Sequence, residues 1–92
     1  MDEQTLKTIV GEVRQEFQIP PYFKDEGLMN YAKEGARYLL GKNPLGNLEE
    51  DETFRMLLKN YINYAYYHRV NEWETNYSSM ILGWMLESEV TE

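Results

Sequence analysis

The clearest helical pattern in the chain is TFRMLLKNYINYAYYHR, residues Thr53 to Arg69. Its apolar residues recur at the spacing of one face of an α-helix, which predicts a long central helix over residues 52–69 with a buried stripe. Asp51 precedes this helix as the candidate N-cap, and neighbouring glutamates suit the positive end of its dipole. The stripe consists of Phe54, Leu57, Leu58, Tyr61, Ile62 and Ala65.

The opposite face of the central helix is less polar than a solvent-facing surface usually is. It carries Met56, Tyr66 and Tyr67 beside Asn60 and Asn63. Tyrosine and methionine are enriched where proteins meet, because they supply a large contact area. We therefore expect this helix to be covered on more than one side.

Length and composition restrict the class of protein. A chain of 92 residues has room for one domain with one core, residues 1–92. Nine basic against sixteen acidic residues give a net charge of −7, which opposes direct binding to nucleic-acid phosphates. The absence of cysteine excludes disulfides and thiolate chemistry. No apolar run suggests a signal peptide or a membrane span, so we expect a soluble protein that is not exported by a signal of its own.

Two helices are predicted before the central one. The first spans residues 3–17 with Asp2 as its N-cap, and its apolar residues recur at helical spacing. The second spans residues 25–40, with Asp25 as N-cap and Gly41 as the residue that ends it. Small residues on the stripe of the second helix should let the central helix approach closely; they are Ala32, Gly35 and Ala36.

The segments that join these helices contain helix breakers. Pro20 and Pro21 predict an extended connector, whose apolar residues Ile19, Tyr22 and Phe23 either plug the core of the domain or contact a neighbour, with the first favoured. The longer loop over residues 42–50 contains two turn pairs, and Leu45 and Leu48 could tuck beneath it.

A fourth helix is predicted over residues 72–87. Asn71 and Glu74 have the spacing of a capping box, which places the start of the helix directly after the central one. Trp73 and Trp84 belong to one face, together with Tyr77, Met80 and Ile81. A second face carries Leu82, Met85 and Leu86, and a lone helix on a small domain would leave it in water. The fold class is therefore all-α, a small single-domain bundle of about four helices around the long central helix.

The sequence contains little that could support catalysis. His68 is the single histidine, and no nucleophile or orienting acid accompanies it at a useful spacing, so a capping or packing role is favoured. The acidic run over residues 49–52 lacks the alternating ligands and the glycine of a calcium loop. We therefore expect no enzyme, no metal site and no cofactor.

Four motifs follow one another along nearly the whole chain. They are the proline turn that ends the first helix (17–21), the small-residue stripe of the second (28–39), the Leu-Leu and Tyr-Ala pattern of the third (57–65) and the start of the fourth (72–77). In this order they resemble the small head–tail connector family of tailed bacteriophages and prophages, the all-helical adaptor proteins that sit beneath the portal. Trp73 departs from the pattern, because such proteins often carry phenylalanine there.

The resemblance implies a virion structural protein. It would form a homo-oligomeric ring at the head–tail junction, dock under the portal protein after DNA packaging, and extend the DNA channel toward a tail-side completion protein. DNA would pass through the ring without sequence-specific binding, and assembly would take place in the cytoplasm of the bacterial host, with no membrane involved. A ring needs two different adhesive faces on each subunit; the candidate interface residues are Met56, Tyr66, Tyr67, Leu82, Met85 and Leu86.

An alternative function remains open. The chain could be a small acidic helical protein that regulates or inhibits a DNA-binding partner by charge mimicry. A mimic should present its acids as a phosphate-like array on one face. Here the acids gather at the starts of helices and near residue 92, which favours the connector.

Overall fold

Four helices form the fold in the computed structural model, which describes residues 3–90. They are α1 (Glu3–Glu16), α2 (Asp25–Lys42), α3 (Glu52–Tyr66) and α4 (Val70–Val90). The described range contains no strand, so the prediction of an all-α bundle of four helices is confirmed. The predicted N-cap Asp2 lies outside the described residues.

Helix α3 is the centre of the core, and α1, α2 and α4 all pack against it. Every residue of its predicted stripe is buried, and Phe54, Leu57, Leu58 and Ile62 are fully enclosed. Helix α2 lies close to α3 at Gly35, where an added Cβ would lie 2.6 Å from the ring of Tyr61. A small residue of α2 therefore lets α3 approach closely, as the sequence predicts.

Helix α4 runs antiparallel to α3 and is attached to it by two tryptophans. The buried indole of Trp73 donates a hydrogen bond of 3.2 Å to the carbonyl of Leu57 in the middle of α3. The indole of Trp84 donates a hydrogen bond of 2.5 Å to Asp51 at the start of α3. Because burying an indole N–H without a partner is costly, these two bonds fix the register of the helix pair.

Three of the predicted capping residues are not caps, and a fourth is confirmed. The carboxylate of Asp51 accepts from the backbone N–H of Phe54, as an N-cap does. Asp25 instead lies inside α2, where its carboxylate accepts from the guanidinium of Arg14 at 2.7 Å. Gly41 also lies inside α2, which continues to Lys42. The fourth helix begins at Val70, so Asn71 belongs to its first turn and is not its cap.

After each of the helices α1 and α3, a residue other than glycine adopts the left-handed backbone conformation. Gln18 has a φ of 52° and His68 a φ of 60°. After α3, the N–H of His68 bonds to the carbonyl of Ala65 and the N–H of Arg69 to that of Tyr64, which together form a Schellman motif. The central helix therefore ends at Tyr66 rather than Arg69, and His68 is a capping residue through its backbone.

The connecting segments contribute to the core only in part. Ile19 and Leu48 are buried, and Phe23 is half-buried against the core. Ile19 and Phe23 therefore pack on the core of the domain, which was the favoured prediction for the connector. Tyr22 is 81% exposed and Leu45 is 63% exposed, so neither packs beneath its segment. Both residues add to the apolar surface that the fold leaves in solvent.

Candidate docking surfaces

Within residues 3–90, no three His, Asp or Glu side chains are grouped closely enough to hold a metal ion. His68 is exposed at the end of α3, away from the core. None of the described helices combines the length and the apolar character needed to cross a bilayer. The candidate functional features are exposed apolar surfaces and a groove between two helices.

The first surface is an apolar ridge on α4, formed by Leu82 and Leu86 and called the α4 ridge below. Their side chains are 56% and 51% exposed and, being four residues apart, lie on one face of the helix. That face points away from Trp84, which lies in the core. Met85 is half-buried against the core, so of the three residues predicted for this face it contributes least.

The second predicted surface, on α3, is interrupted by polar residues. Met56 and Tyr67 are exposed, but they are eleven residues apart, about 16 Å along a helix axis. Asn60 and Asn63 lie between them, and the Asn60 amide donates to the carbonyl of Met56. Met56 and Tyr67 therefore do not form one continuous apolar patch.

Aromatic rings cluster where α3 ends: Tyr66 and Tyr67 were predicted interface residues, and Tyr22 and Phe23 were predicted to plug the core or to contact a neighbour. Tyr66 is half-buried, with its ring 4.9 Å edge-on from Phe23 and 4.9 Å edge-on from Tyr67. Desolvation and the nearby phenols of Tyr22 and Tyr67 raise the pKa of Tyr66, so its hydroxyl is neutral at physiological pH. We call Tyr22, Phe23, Tyr66 and Tyr67 the aromatic cluster. Its most exposed member, Tyr22, lies in a turn in which the N–H of Phe23 donates to the carbonyl of Pro20, so the connector predicted as extended from its two prolines is instead a turn.

The α4 ridge and the aromatic cluster lie at opposite ends of the molecule. The ridge is next to Trp84, which bonds to Asp51 before the first residue of α3, whereas the cluster surrounds Tyr66, the last residue of α3. A helix of fifteen residues is about 22 Å long. One partner side chain could not reach both surfaces, so they offer separate contacts.

A shallow groove of about 450 Å³ separates α1 from α2 and has an apolar floor. Its apolar floor consists of the buried residues Leu6 and Ala36 and the half-buried Leu40. The rim carries Lys33 and Arg37, one turn apart on α2. We call it the α1/α2 groove. It was not predicted, because the pairing of α1 with α2 cannot be read from either helix alone.

Many acidic side chains are held by partners within the fold. The ammonium of Lys59 lies 2.9 Å from Glu12 and 2.7 Å from Glu16, which ties α3 to α1. Burial alone would lower the pKa of Lys59, but the hydrogen bonds to the two glutamates outweigh it and raise the pKa. Asp25 and Asp51 are likewise bonded, to Arg14 and to Trp84. These acids are therefore engaged in separate contacts within the fold, whereas Glu50, Asp51, Glu52 and Glu87 line one shallow depression beside Trp84.

Comparison with family models, with curated proteins and with solved structures finds no match to this chain.

Proposed function

We propose that this protein is a ring-forming head–tail connector of a tailed bacteriophage or prophage. It would dock under the portal protein, extend the DNA channel and receive a tail-side completion protein. The single observation that carries this proposal from the structure is the presence of two exposed apolar surfaces, the α4 ridge and the aromatic cluster, at opposite ends of one small helical domain. The proposal names the connector family because the motifs of the chain follow one another in the order that resembles it.

Two separate surfaces suit a subunit that has different neighbours on its two sides. A ring is built from heterologous contacts, in which one patch meets a different patch on the next copy. A protein that also binds a portal and a tail protein needs further contact area. In a monomer that acts alone, exposed leucines and tyrosines at both ends would only increase the risk of aggregation.

The size of the surfaces predicts weak association of the isolated protein. Full burial of a leucine side chain contributes about 1.5–3 kcal/mol, whereas association costs at least about 4 kcal/mol in lost freedom of motion. At low protein concentration, a contact between two copies through the two leucines of the α4 ridge is therefore only marginally stable. A portal that binds several copies at once would raise their effective concentration and complete the ring.

The charges support a connector over a charge mimic. A mimic of DNA needs free carboxylates in a regular array, but Glu12, Glu16 and Asp25 are held by cations in the fold. The net charge of −7 suits a channel wall along which DNA slides without sticking.

Sedimentation velocity of the purified protein at high concentration tests this proposal. Leu86→Glu and, separately, Tyr67→Glu place a charge on the α4 ridge and on the aromatic cluster. We expect Leu86→Glu to prevent self-association and Tyr67→Glu to reduce binding to the ring or to the portal, with unchanged helicity by circular dichroism because both side chains are exposed.

The matched control is Gln15→Glu, which adds the same charge at an exposed polar position of α1. This variant should assemble like the parent protein. If Leu86→Glu and Tyr67→Glu also assembled and bound the portal like the parent, neither surface would be an interface and the connector proposal would lose its structural support.

A further inference from the structure

The α4 ridge and the α1/α2 groove are complementary in shape. The ridge is a row of two leucines, four residues apart, that stands out from a single helix. The groove is an apolar channel between two helices, with Leu6, Ala36 and Leu40 along its floor. Helix-in-groove recognition uses this arrangement, in which residues one turn apart on the inserted helix occupy an apolar groove.

The two surfaces are also complementary in charge, against the overall charge of the molecule. Three charged residues line the groove, Lys33 and Arg37 of α2 and Glu3 of α1, and Arg37 forms no ion pair with any other described residue. Lys33 lies 3.9 Å from Glu3, and both side chains are more than half exposed, so this pair is easily exchanged for another. On α4, Glu87 follows Leu86 directly, and the sequence adds Glu89 and Glu92 with no basic residue among them. The α2 side of the groove is therefore basic and the end of α4 is acidic, in a chain whose net charge is −7.

We propose that the α4 ridge of one copy docks into the α1/α2 groove of the next copy. Leu82 and Leu86 cover the apolar floor, and Glu87 approaches Arg37 on the rim. This inference rests on the proposed self-assembly and identifies the contact by which it takes place. Because the two surfaces differ, the contact is heterologous and repeats from copy to copy, which closes into a ring when the rotation allows.

A chain cannot make this contact with itself. The loop that joins α2 to α3 lies between the two surfaces: its Gly46 packs on Trp84, and its Leu48 borders a neighbouring groove with Leu40. Helix α4 is held on α3 by the bonds of Trp73 and Trp84. The ridge is therefore available only to another copy.

The absence of cysteine permits a direct test by cross-linking. Leu40→Cys and Leu86→Cys are combined in one chain, which is oxidised at a concentration that permits assembly and analysed on a denaturing gel. We expect a ladder of covalent oligomers, since each subunit contributes one residue to each of two contacts. The matched control combines Leu86→Cys with Gln15→Cys, a position on the side of α1 turned away from the groove, and should give no ladder.

The outcomes separate this contact from the proposed function. Covalent dimers from Leu86→Cys alone would show a symmetric contact between two α4 ridges and would overturn the inference. Assembly in sedimentation without cross-links in the double variant would also overturn it, while leaving the ring proposal intact. A parent protein that stays monomeric at every concentration and on the portal would contradict both.

Charge reversal gives a second and independent readout. Arg37→Glu should weaken self-association at least tenfold, because it places two acidic groups opposite each other. Combining Arg37→Glu with Glu87→Lys restores the opposite charges and should recover most of the loss. If the double variant assembled no better than Arg37→Glu alone, Glu87 and Arg37 would not face each other across the contact.

Discussion

Asp51 joins α3 to α4 with its two carboxylate oxygens. One oxygen accepts from the N–H of Phe54 at 3.1 Å and caps α3, and the other accepts from the indole of Trp84 at 2.5 Å. The cap could be predicted from the sequence, because an aspartate before an amphipathic run is a local signal. The bond to Trp84 could not, since it connects residues 33 positions apart that meet only after the chain has folded.

Substitution of Asp51 should separate these two roles. Asp51→Ala removes both the cap, about 1 kcal/mol, and a hydrogen bond to a charged group, about 1.5–3 kcal/mol. Asp51→Ser keeps a capping oxygen but is too short to reach the indole as well. We expect the free energy of unfolding in urea to fall most for Asp51→Ala and less for Asp51→Ser. Equal losses in the two variants would show that the bond to Trp84 contributes nothing.

The helices themselves were predictable, whereas most of their ends were not. The buried stripe of α3 follows from hydrophobic periodicity, which depends only on neighbours along the chain. Gln18 and His68 end their helices in the left-handed region, where glycine or asparagine is the usual residue, so no local signal marked these positions. The interface residues were predictable as exposed apolar side chains only in part, because Met85 and Tyr66 are half-buried by tertiary contacts.

Replacement of two helical glycines by alanine should change the stability of the protein in opposite directions. Alanine generally stabilises a helix interior by up to about 1 kcal/mol over glycine. Gly11→Ala should realise this gain, because nothing lies within 4 Å of the added Cβ. At Gly35 the Cβ would lie 2.6 Å from Tyr61 and 2.8 Å from Leu58, and overpacking should destabilise the protein by about 1–3 kcal/mol. Thermal melts of both variants provide the measurement; a stabilised Gly35→Ala protein would show that α2 and α3 pack less closely.

The ion pairs of Lys59 with Glu12 and Glu16 should be sensitive to alkaline pH. The folded state raises the pKa of Lys59 above its ordinary value of 10.5. Stabilisation from these pairs is therefore fully present below about pH 10.5 and is lost as the pH rises through the higher folded value.

The comparison of Lys59→Met with the parent isolates this effect from other alkaline titrations. We expect the parent to be more stable by roughly 1–2 kcal/mol from pH 7 to pH 10, since the three side chains are partly exposed. The difference in melting temperature should narrow above that range. A difference that disappears by pH 9 would contradict the raised pKa.

At the scale of the whole molecule, net charge and local charge act in opposite directions on assembly. Subunits of charge −7 repel one another over the Debye length, which is about 30 Å at 0.01 M salt and about 8 Å at 0.15 M. The proposed pairing of Arg37 with Glu87 acts at contact distance and is screened less over that range. Added salt should therefore screen the repulsion between subunits at a lower concentration than it weakens the proposed pairing of Arg37 with Glu87.

Sedimentation velocity between 10 mM and 150 mM salt should accordingly show more assembly as salt rises. An interface held together mainly by ion pairs would show the reverse, with oligomers dissolving over the same range. Gln15→Glu and the parent should respond to salt in the same way, because the added charge lies outside the contact.

Native mass spectrometry of the purified chain across a range of concentrations tests the central claim, that this domain assembles into a closed ring. The two exposed surfaces and their limited area predict a monomer in dilute solution and, at high concentration, a single oligomer of one fixed copy number. A chain that remained monomeric at every concentration, both alone and with the portal, or that formed an open series of oligomers without a preferred size, would contradict the claim.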